Sequence, residues 1–480
     1  MATKLIEPNA RSAQPIGLVR GLGAYAAAAI VVGTMIGTGI FLKPSEMAAE
    51  GKSTAIVFAA WLVGGLLSLF GALSYAELGA SIPEAGGEYA YLRRGFGPAW
   101  GFLFGWMHSI VGRPASAAAI AAGLLRFWGF LSPAVATPIY TFHLHFPLLA
   151  RSDPQFVFTW AQPLAVAALI LMTFINYLGV RFGGQVQIAL TFLKVSSVLA
   201  IIVLGFLLAH GHTSHFTPLF PGSLNSATFS GFLAALAAAL WAYDGWEDLN
   251  LVGSEVDDPQ KNIPRALVGG VIFVIVIYIF FNAVCFYALP FGAVAASQHV
   301  ASDVVASFAG HGAALWITLA MIISALGTMN SSILSGARVD YAMARDGLFF
   351  RVAAKVHPKF RTPGNALIFQ CALASIMALT GTFEDLTSLF IFAEWIFYAL
   401  AVVAMFRLRR IEPDLPRPYL ALGYPVLPAL FIAGAIALTT SLWLARPLRS
   451  SIGLGLILFG LVFYRYWRSQ TAEPQTAALS

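Results

Sequence analysis

The chain has 480 residues, of which 59% are hydrophobic and only 10% charged, with a formal net charge of +6. A soluble surface needs a much denser and more mixed set of charges, so this composition excludes an ordinary water-soluble protein and points to a bilayer. The two cysteines, Cys285 and Cys371, fall inside apolar runs, which argues against an extracytoplasmic disulfide framework or a cysteine metal site.

At ~20 apolar residues per crossing, the sequence accommodates about twelve helices. They are predicted near 21–43, 54–80, 98–125, 157–178, 187–209, 229–252, 266–289, 312–337, 364–381, 386–406, 421–444 and 451–468. Residues 1–20 are polar and lack an apolar stretch ending in a small-residue cleavage site, so the first span is expected to serve as its own insertion signal. That span is interrupted by GTMIGTG at 33–39, where glycine and threonine loosen the helix in mid-membrane. Opening a helix there leaves N–H and C=O groups unpaired, at several kcal/mol for each group that protein, water or ligand does not satisfy.

Between spans two and three, PEAGGEYAYLRRGFGP lacks the GxxxxGK[ST] spacing of a phosphate loop and reads as a packed inner loop. Span five carries a lone intramembrane charge, Lys194 in TFLKVSS, which either has a buried partner or snorkels to the surface. His210, His212 and His215 form an outer-loop cluster that reads as solvated rather than metal-binding. Span six is interrupted in turn by AYDGW at 242–246, followed by Glu247 and Asp248. Asp244 and Glu247 have three open roles: binding a cationic side chain, accepting a proton, or pairing with Arg113 of span three. Asp248 is expected to face the inner vestibule. SEVDDPQKNIPRAL at 254–267 reads as a turn that caps the next helix. FYRYWR at 463–468 suits an inner headgroup layer, and the residues after Ser469 read as a disordered tail.

Paired interruptions in two halves are a sign of a secondary transporter built from repeats. The predicted fold is an all-α membrane protein of about twelve transmembrane helices, with an inverted five-plus-five helix repeat and broken spans one and six. Residues 1–20 form a cytoplasmic segment, 21–209 the first repeat, 210–406 the second, 407–468 the appended helices eleven and twelve, and 469–480 a cytoplasmic tail. With both termini cytoplasmic, most of the 28 lysines and arginines lie on the cytoplasmic side. They are spread over many loops, which gives no support to nucleic-acid binding.

VGTMIGTGIF (32–41), SYAELGASIPEAGGEYAYLRRGFGPAWGFLFGW (74–106), WAYDGWEDLNLVGSEVDDPQKNIPRAL (241–267) and NSSILSGARVDYAMARDGL (330–348) together resemble the amino acid–polyamine–organocation superfamily. Arg113-Pro114 and the tryptophan-rich sixth span resemble most its L-type amino-acid transporter branch. The resemblance implies a substrate carboxylate at Gly37, Thr38 and Gly39, and an ammonium at the carbonyls of Met35, Trp241 and Asp244. Trp241 stands at the position of an aromatic gate. The expected substrate-binding set is Met35, Ile36, Gly37, Thr38, Gly39, Trp241, Ala242, Asp244, Gly245 and Glu247. Lys194, Thr328 and Arg113 are the expected coupling and gating residues. In several sodium-independent members a span-five lysine occupies the place of sodium, and here Lys194 would bridge Gly33 to Thr328.

The expected function is secondary transport of L-amino acids across the plasma membrane by alternating access, as sodium-independent exchange or uptake of neutral amino acids. The alternative is a proton-coupled carrier of cationic amino acids or polyamines. A membrane-embedded hydrolase would need a nucleophile–base pair or a metal set, and neither is visible. A channel fits paired helix breaks less well. No cofactor is expected, and the partners are the amino-acid substrate and membrane lipids. Relatives that carry a glycoprotein heavy subunit attach it through a cysteine between spans three and four; residues 126–156 contain none, so no disulfide-linked heavy subunit is expected.

Overall fold

The computed structural model describes residues 18–143, 155–380, 383–445 and 447–476. Most of the polar N-terminal segment and the last four residues of the tail lie outside them. Among the described residues, ten helices are long and apolar enough to cross a membrane, and two shorter apolar helices, Ala161–Tyr177 and Gly364–Thr380, stand where spans four and nine are predicted. The outer faces carry exposed Phe174, Phe192, Leu207 and Trp316, the surface expected of helices facing lipid rather than water.

The first span is two helices, Ala24–Met35 and Thr38–Gly51, separated by Ile36 and Gly37. The second span is Thr54–Ser81. A short helix, Glu88–Phe96, then leads into the third span, Pro98–Leu131, which contains a π-helical turn at His108–Gly112. Beyond it, Pro138–His143 and Gln155–Thr159 pair as an antiparallel hairpin. This corrects the predicted start of span four: the apolar run at 157–160 belongs to a strand end and turn, and the helix begins at Ala161. The aromatic and β-branched residues of QFVFT suit strand pairing as well as an apolar helix start, and hydropathy alone does not separate the two.

Span five is Val180–Leu208, and span six is Ser226–Tyr243 followed, after a turn, by the single-turn helix Asp248–Leu251. Span seven, Pro259–Ala288, begins on the proline that the sequence places at its first turn. Span eight belongs to a helical run, Val300–Arg345, that breaks at Gly310, where φ is 79°. Span ten is Phe383–Ile411, eleven is Val426–Ala445 and twelve is Pro447–Thr476. The last helix therefore continues through residues read from sequence as disordered tail.

The broken spans one and six lie side by side. A side chain on Gly39 would fall 2.6 Å from the Cα of Ala242, so glycine is what lets the second half of span one reach span six. Gly245 has a φ of +103°, and a side chain there would collide with Thr34. At one end of the pair, the amides of Gly21 and Leu22 both donate to the Glu255 carbonyl at 3.0 Å, and the Asp257 amide donates back to Leu22 at 2.9 Å. The approach to span one is thereby stitched to the turn that follows span six.

Candidate functional site

The site begins with the backbone groups released at the two breaks. At the N-terminus of Thr38–Gly51 the first amides have no intrahelical acceptor, and Gly37 brings no side chain to cap them. This end of the helix dipole favours a negative group. The carbonyls released on the other side of the break are largely served by neighbouring spans. Lys194 Nζ donates to Gly33 O at 2.7 Å and to the Thr328 hydroxyl at 3.0 Å. The Thr328 hydroxyl lies 3.2 Å from Gly33 O and 3.4 Å from Ile36 O, and Ser324 donates to Ile36 O at 3.3 Å. Lys194 is fully buried, so it does not snorkel.

Met35 O accepts from the Gly37 amide at 2.8 Å and lies 2.5 Å from the Tyr278 hydroxyl, which is also 2.8 Å from Ala242 O. Tyr278 is held edge-on to Trp61, with ring centroids 5.2 Å apart. The carbonyl of Trp241 has a long contact, 3.3 Å, from the Asp244 amide. Met35, Gly37, Thr38, Gly39, Trp241, Asp244, Thr328 and Arg113 meet around one cavity, which Thr34, Ser116 and Ile120 complete. The cavity is about 20 Å³, room for an ordered water but not for an amino acid. The Trp241 ring, part of that lining, packs edge-on against Phe390 of span ten at 5.5 Å. Ile36, Ala242, Gly245 and Glu247 are buried behind this lining rather than on it.

The charged part of the site corrects one expectation. Asp248 does not face a vestibule: it is fully buried, with Oδ1 2.7 Å from Arg113 Nη2. Arg113 reaches Glu247 only at 4.0 Å. Glu247 instead accepts from the Gly245 amide at 3.1 Å, within its own turn. Asp244, half-buried, accepts from the Tyr398 hydroxyl of span ten at 3.1 Å. Arg113 points inward because it follows the π turn of span three, where its amide bonds the carbonyl of His108, five residues earlier. Such turns are rare and often mark functional sites. Thus the single helical step between Glu247 and Asp248 decides which carboxylate holds the arginine.

Sequence reasoning missed Tyr278, His108, Tyr398 and Glu394. Glu394 was the legible one, an acid within the apolar run IFAEWIF. Tyr278, in a span of aromatic and branched residues, carries no such signal. The outer-loop histidines gather only in part: the His212 and His215 rings are 5.5 Å apart, His215 Nδ1 faces Tyr287 O at 2.9 Å, and no group of three metal-binding side chains occurs among the described residues.

A helical membrane bundle with two broken spans around a small midmembrane cavity has the form of a secondary transporter. A family model described as amino acid permease matches residues 22–464, and the chain belongs to that family, within the L-type branch of the amino acid–polyamine–organocation superfamily. It is a transporter and not an enzyme. It is similar to the serine/threonine exchanger SteT of Bacillus subtilis (strain 168), 34% identical over 465 residues, covering 95% of this chain and 99% of the relative. It is also similar to the b(0,+)-type amino acid transporter 1 of Homo sapiens, at 32% identity over 98% of this chain and 93% of the relative. The large neutral amino acids transporter small subunit 2 of Oryctolagus cuniculus is 32% identical, with 94% and 82% covered. The chain transports amino acids.

Proposed function

We propose that this chain is a sodium-independent exchanger of neutral L-amino acids in the plasma membrane, with both termini cytoplasmic, working by alternating access between inverted five-helix repeats. The observation that carries this reading is the side-chain nitrogen of Lys194 held between Gly33 and Thr328, where a coupling cation would otherwise join span one to span eight. The substrate carboxylate docks on the amides of Thr38 and Gly39, and its ammonium on the carbonyls of Met35 and Trp241. Closure of Trp241 over the site accompanies occlusion. The names of the relatives, a serine/threonine exchanger and a large neutral amino acids transporter, support exchange and neutral substrates. The chain acts without a disulfide-linked heavy subunit, in keeping with the absence of cysteine from residues 126–156.

A second reading, transport of cationic amino acids, is favoured by one observation: Asp244 lines the cavity itself. Counterflow in proteoliposomes separates the two. Serine, threonine, leucine, lysine and glutamate are offered against preloaded serine, with sodium then replaced by choline. Neutral amino acids driving counterflow in choline is the expected result. Strict sodium dependence overturns the coupling claim, and counterflow by lysine alone overturns the substrate claim.

A further inference from the structure

Cations and acids are unevenly matched on the face that carries the turns before spans three, seven and nine. Toward spans two, three, eight and ten the arginines are paired: Arg93 with Glu84 and Asp346, Arg94 with Glu412, Arg338 with Glu255, and Arg409 and Arg417 with Glu77. At the ends of spans one, four, five and nine the pattern changes. Among the described residues, Arg20, Arg181, Lys359 and Arg361 make no ion pair and no side-chain hydrogen bond. The first three are exposed and Arg361 is half-buried.

One line of contacts carries these four cations. Arg181, in the first turn of span five, lies across Gly21 so closely that a side chain there would fall 3.0 Å from its Cγ, and Arg20 is the residue before. Two residues ahead of Arg181, a side chain on Gly179 would meet the carbonyl of Phe360 at 3.4 Å. On the other side of Arg361, the Thr362 hydroxyl donates to Tyr177 O at 2.9 Å. The turn that presents Lys359 and Arg361 is itself fixed. The His357 amide donates to Thr362 O at 2.8 Å, its carbonyl accepts from the Arg361 amide at 2.9 Å, and its Nδ1 accepts from the amides of Lys359 and Phe360 at 3.3 and 3.1 Å. The His357 and Phe360 rings stack at 4.6 Å, with Tyr177 edge-on to both.

The acids of neighbouring segments do not balance this corner. Asp257 stands beside Gly23 and Asp258 follows it, and neither makes an ion pair among the described residues, while Glu255 is taken by Arg338. The surface that adjoins the cations is apolar: Phe174 of span four, Phe182 of span five and Ile368 of span nine are all exposed. A soluble anion would use the cations alone, whereas a ligand with both a phosphate and acyl chains uses the whole surface. We infer that this corner is a binding site for an anionic phospholipid of the adjoining leaflet, its phosphate held by Arg181 and the Lys359–Arg361 turn and its acyl chains lying along spans four, five and nine. Arg181 rests on Gly21, whose amide donates to Glu255 O, so the bound lipid fastens the approach to span one.

The site does not depend on the exchange reading, but its effect on transport rests on it. The purified full chain in detergent is titrated with phosphatidylglycerol, phosphatidylcholine or soluble glycerol 3-phosphate, and bound ligand is read by native mass spectrometry. Phosphatidylglycerol should bind in preference to both. One cation at an anionic headgroup contributes about a fivefold factor, so Arg181→Gln should weaken binding about fivefold and the Arg181→Gln/Lys359→Gln/Arg361→Gln variant about a hundredfold. Arg410→Gln, which removes an exposed cation at the end of span ten, should leave binding unchanged. Serine counterflow in phosphatidylcholine vesicles shows that each variant is folded and tests exchange separately. Added phosphatidylglycerol should slow counterflow by the wild type and not by the triple variant. Equal binding of the two lipids, or an equal loss in Arg410→Gln, overturns the site. Binding of glycerol 3-phosphate as tight as that of phosphatidylglycerol overturns the lipid assignment. Lipid binding with unchanged counterflow overturns the fastening of span one. Absence of serine counterflow in the wild type overturns the exchange reading, while the binding titration still decides the site.

Discussion

The Tyr278 hydroxyl lies 2.5 Å from the carbonyl of Met35, at the break of span one, and is shared with Ala242 O, at 2.8 Å, near the break of span six. A phenol has one proton to give, so at any moment one of these carbonyls has the better share. The other remains available to a stronger donor, and a substrate ammonium is such a donor. Span seven therefore holds the two broken spans together through a single shared proton.

Tyr278→Phe keeps the ring that packs against Trp61 and Tyr243 but removes that proton. A buried carbonyl left short of a donor costs about 1–3 kcal/mol. The loss falls on the state in which the breaks are closed around substrate, so apparent affinity in counterflow should drop by about fivefold to a hundredfold. Expression should be retained. Unaltered affinity would show that the hydroxyl only packs.

Arg113 and Asp248 make a second prediction. Removing one partner of a buried ion pair typically costs about 3–5 kcal/mol because the other charge is stranded. Arg113 also stands 4.0 Å from Glu247, so Arg113→Gln should lower the melting temperature in detergent more than Asp248→Asn does. The Arg113→Gln/Asp248→Asn double variant should recover part of the arginine loss. Simple additivity of the two losses would remove the pairing argument.

Lys194 supplies the third. If Lys194 is charged, a sodium ion ~4 Å from it would meet about 4 kcal/mol of repulsion at an effective dielectric near 20, so the two should not share the pocket. Lys194→Met preserves most of the apolar stem and removes the charge, leaving Gly33 O without its 2.7 Å donor. Substrate affinity should fall about tenfold or more, since hydrogen bonds to charged groups contribute about 1.5–3 kcal/mol. Sodium should restore nothing. Wild-type kinetics in Lys194→Met would return this lysine to a passive role.

The two helix breaks were legible because glycine in an apolar run is a local signal, and the observed breaks at Ile36–Gly37 and after Tyr243 fall inside the two strings read from sequence. The partners of Arg113 were not. Glu247 and Asp248 are adjacent, and which one faces span three depends on the turn after Gly245, whose φ of +103° no periodicity encodes. The π turn at His108–Gly112 was hidden for the same reason: it shifts the register of span three without altering its hydropathy. Gly39, where the resemblance puts the substrate carboxylate, has the backbone of Ala242 as its nearest limit. Gly39→Val therefore separates two helices before it blocks a carboxylate, and loss of binding in that variant does not isolate the substrate contact.

The last prediction concerns Glu255 and Arg338. Arg338 Nε and Nη2 donate to the two Glu255 oxygens at 2.7 and 3.1 Å, with both side chains buried. The backbone of Glu255 simultaneously accepts from Gly21 and Leu22, so one residue joins the start of span one, the turn after span six and span eight. Opening the cavity toward this face, the cytoplasmic one in the proposed orientation, should separate these elements and break the pair. Glu255→Gln removes the charge complement and should favour the open form by about tenfold or more. The measurement uses Ser116→Cys, a cavity-lining position, in a background with Cys285 and Cys371 replaced by alanine. In inside-out vesicles, labelling by an impermeant maleimide should be faster by a similar factor once Glu255→Gln is added, while right-side-out vesicles should label more slowly. Equal rates in both orientations, with and without Glu255→Gln, would mean that the pair fastens the fold without controlling access.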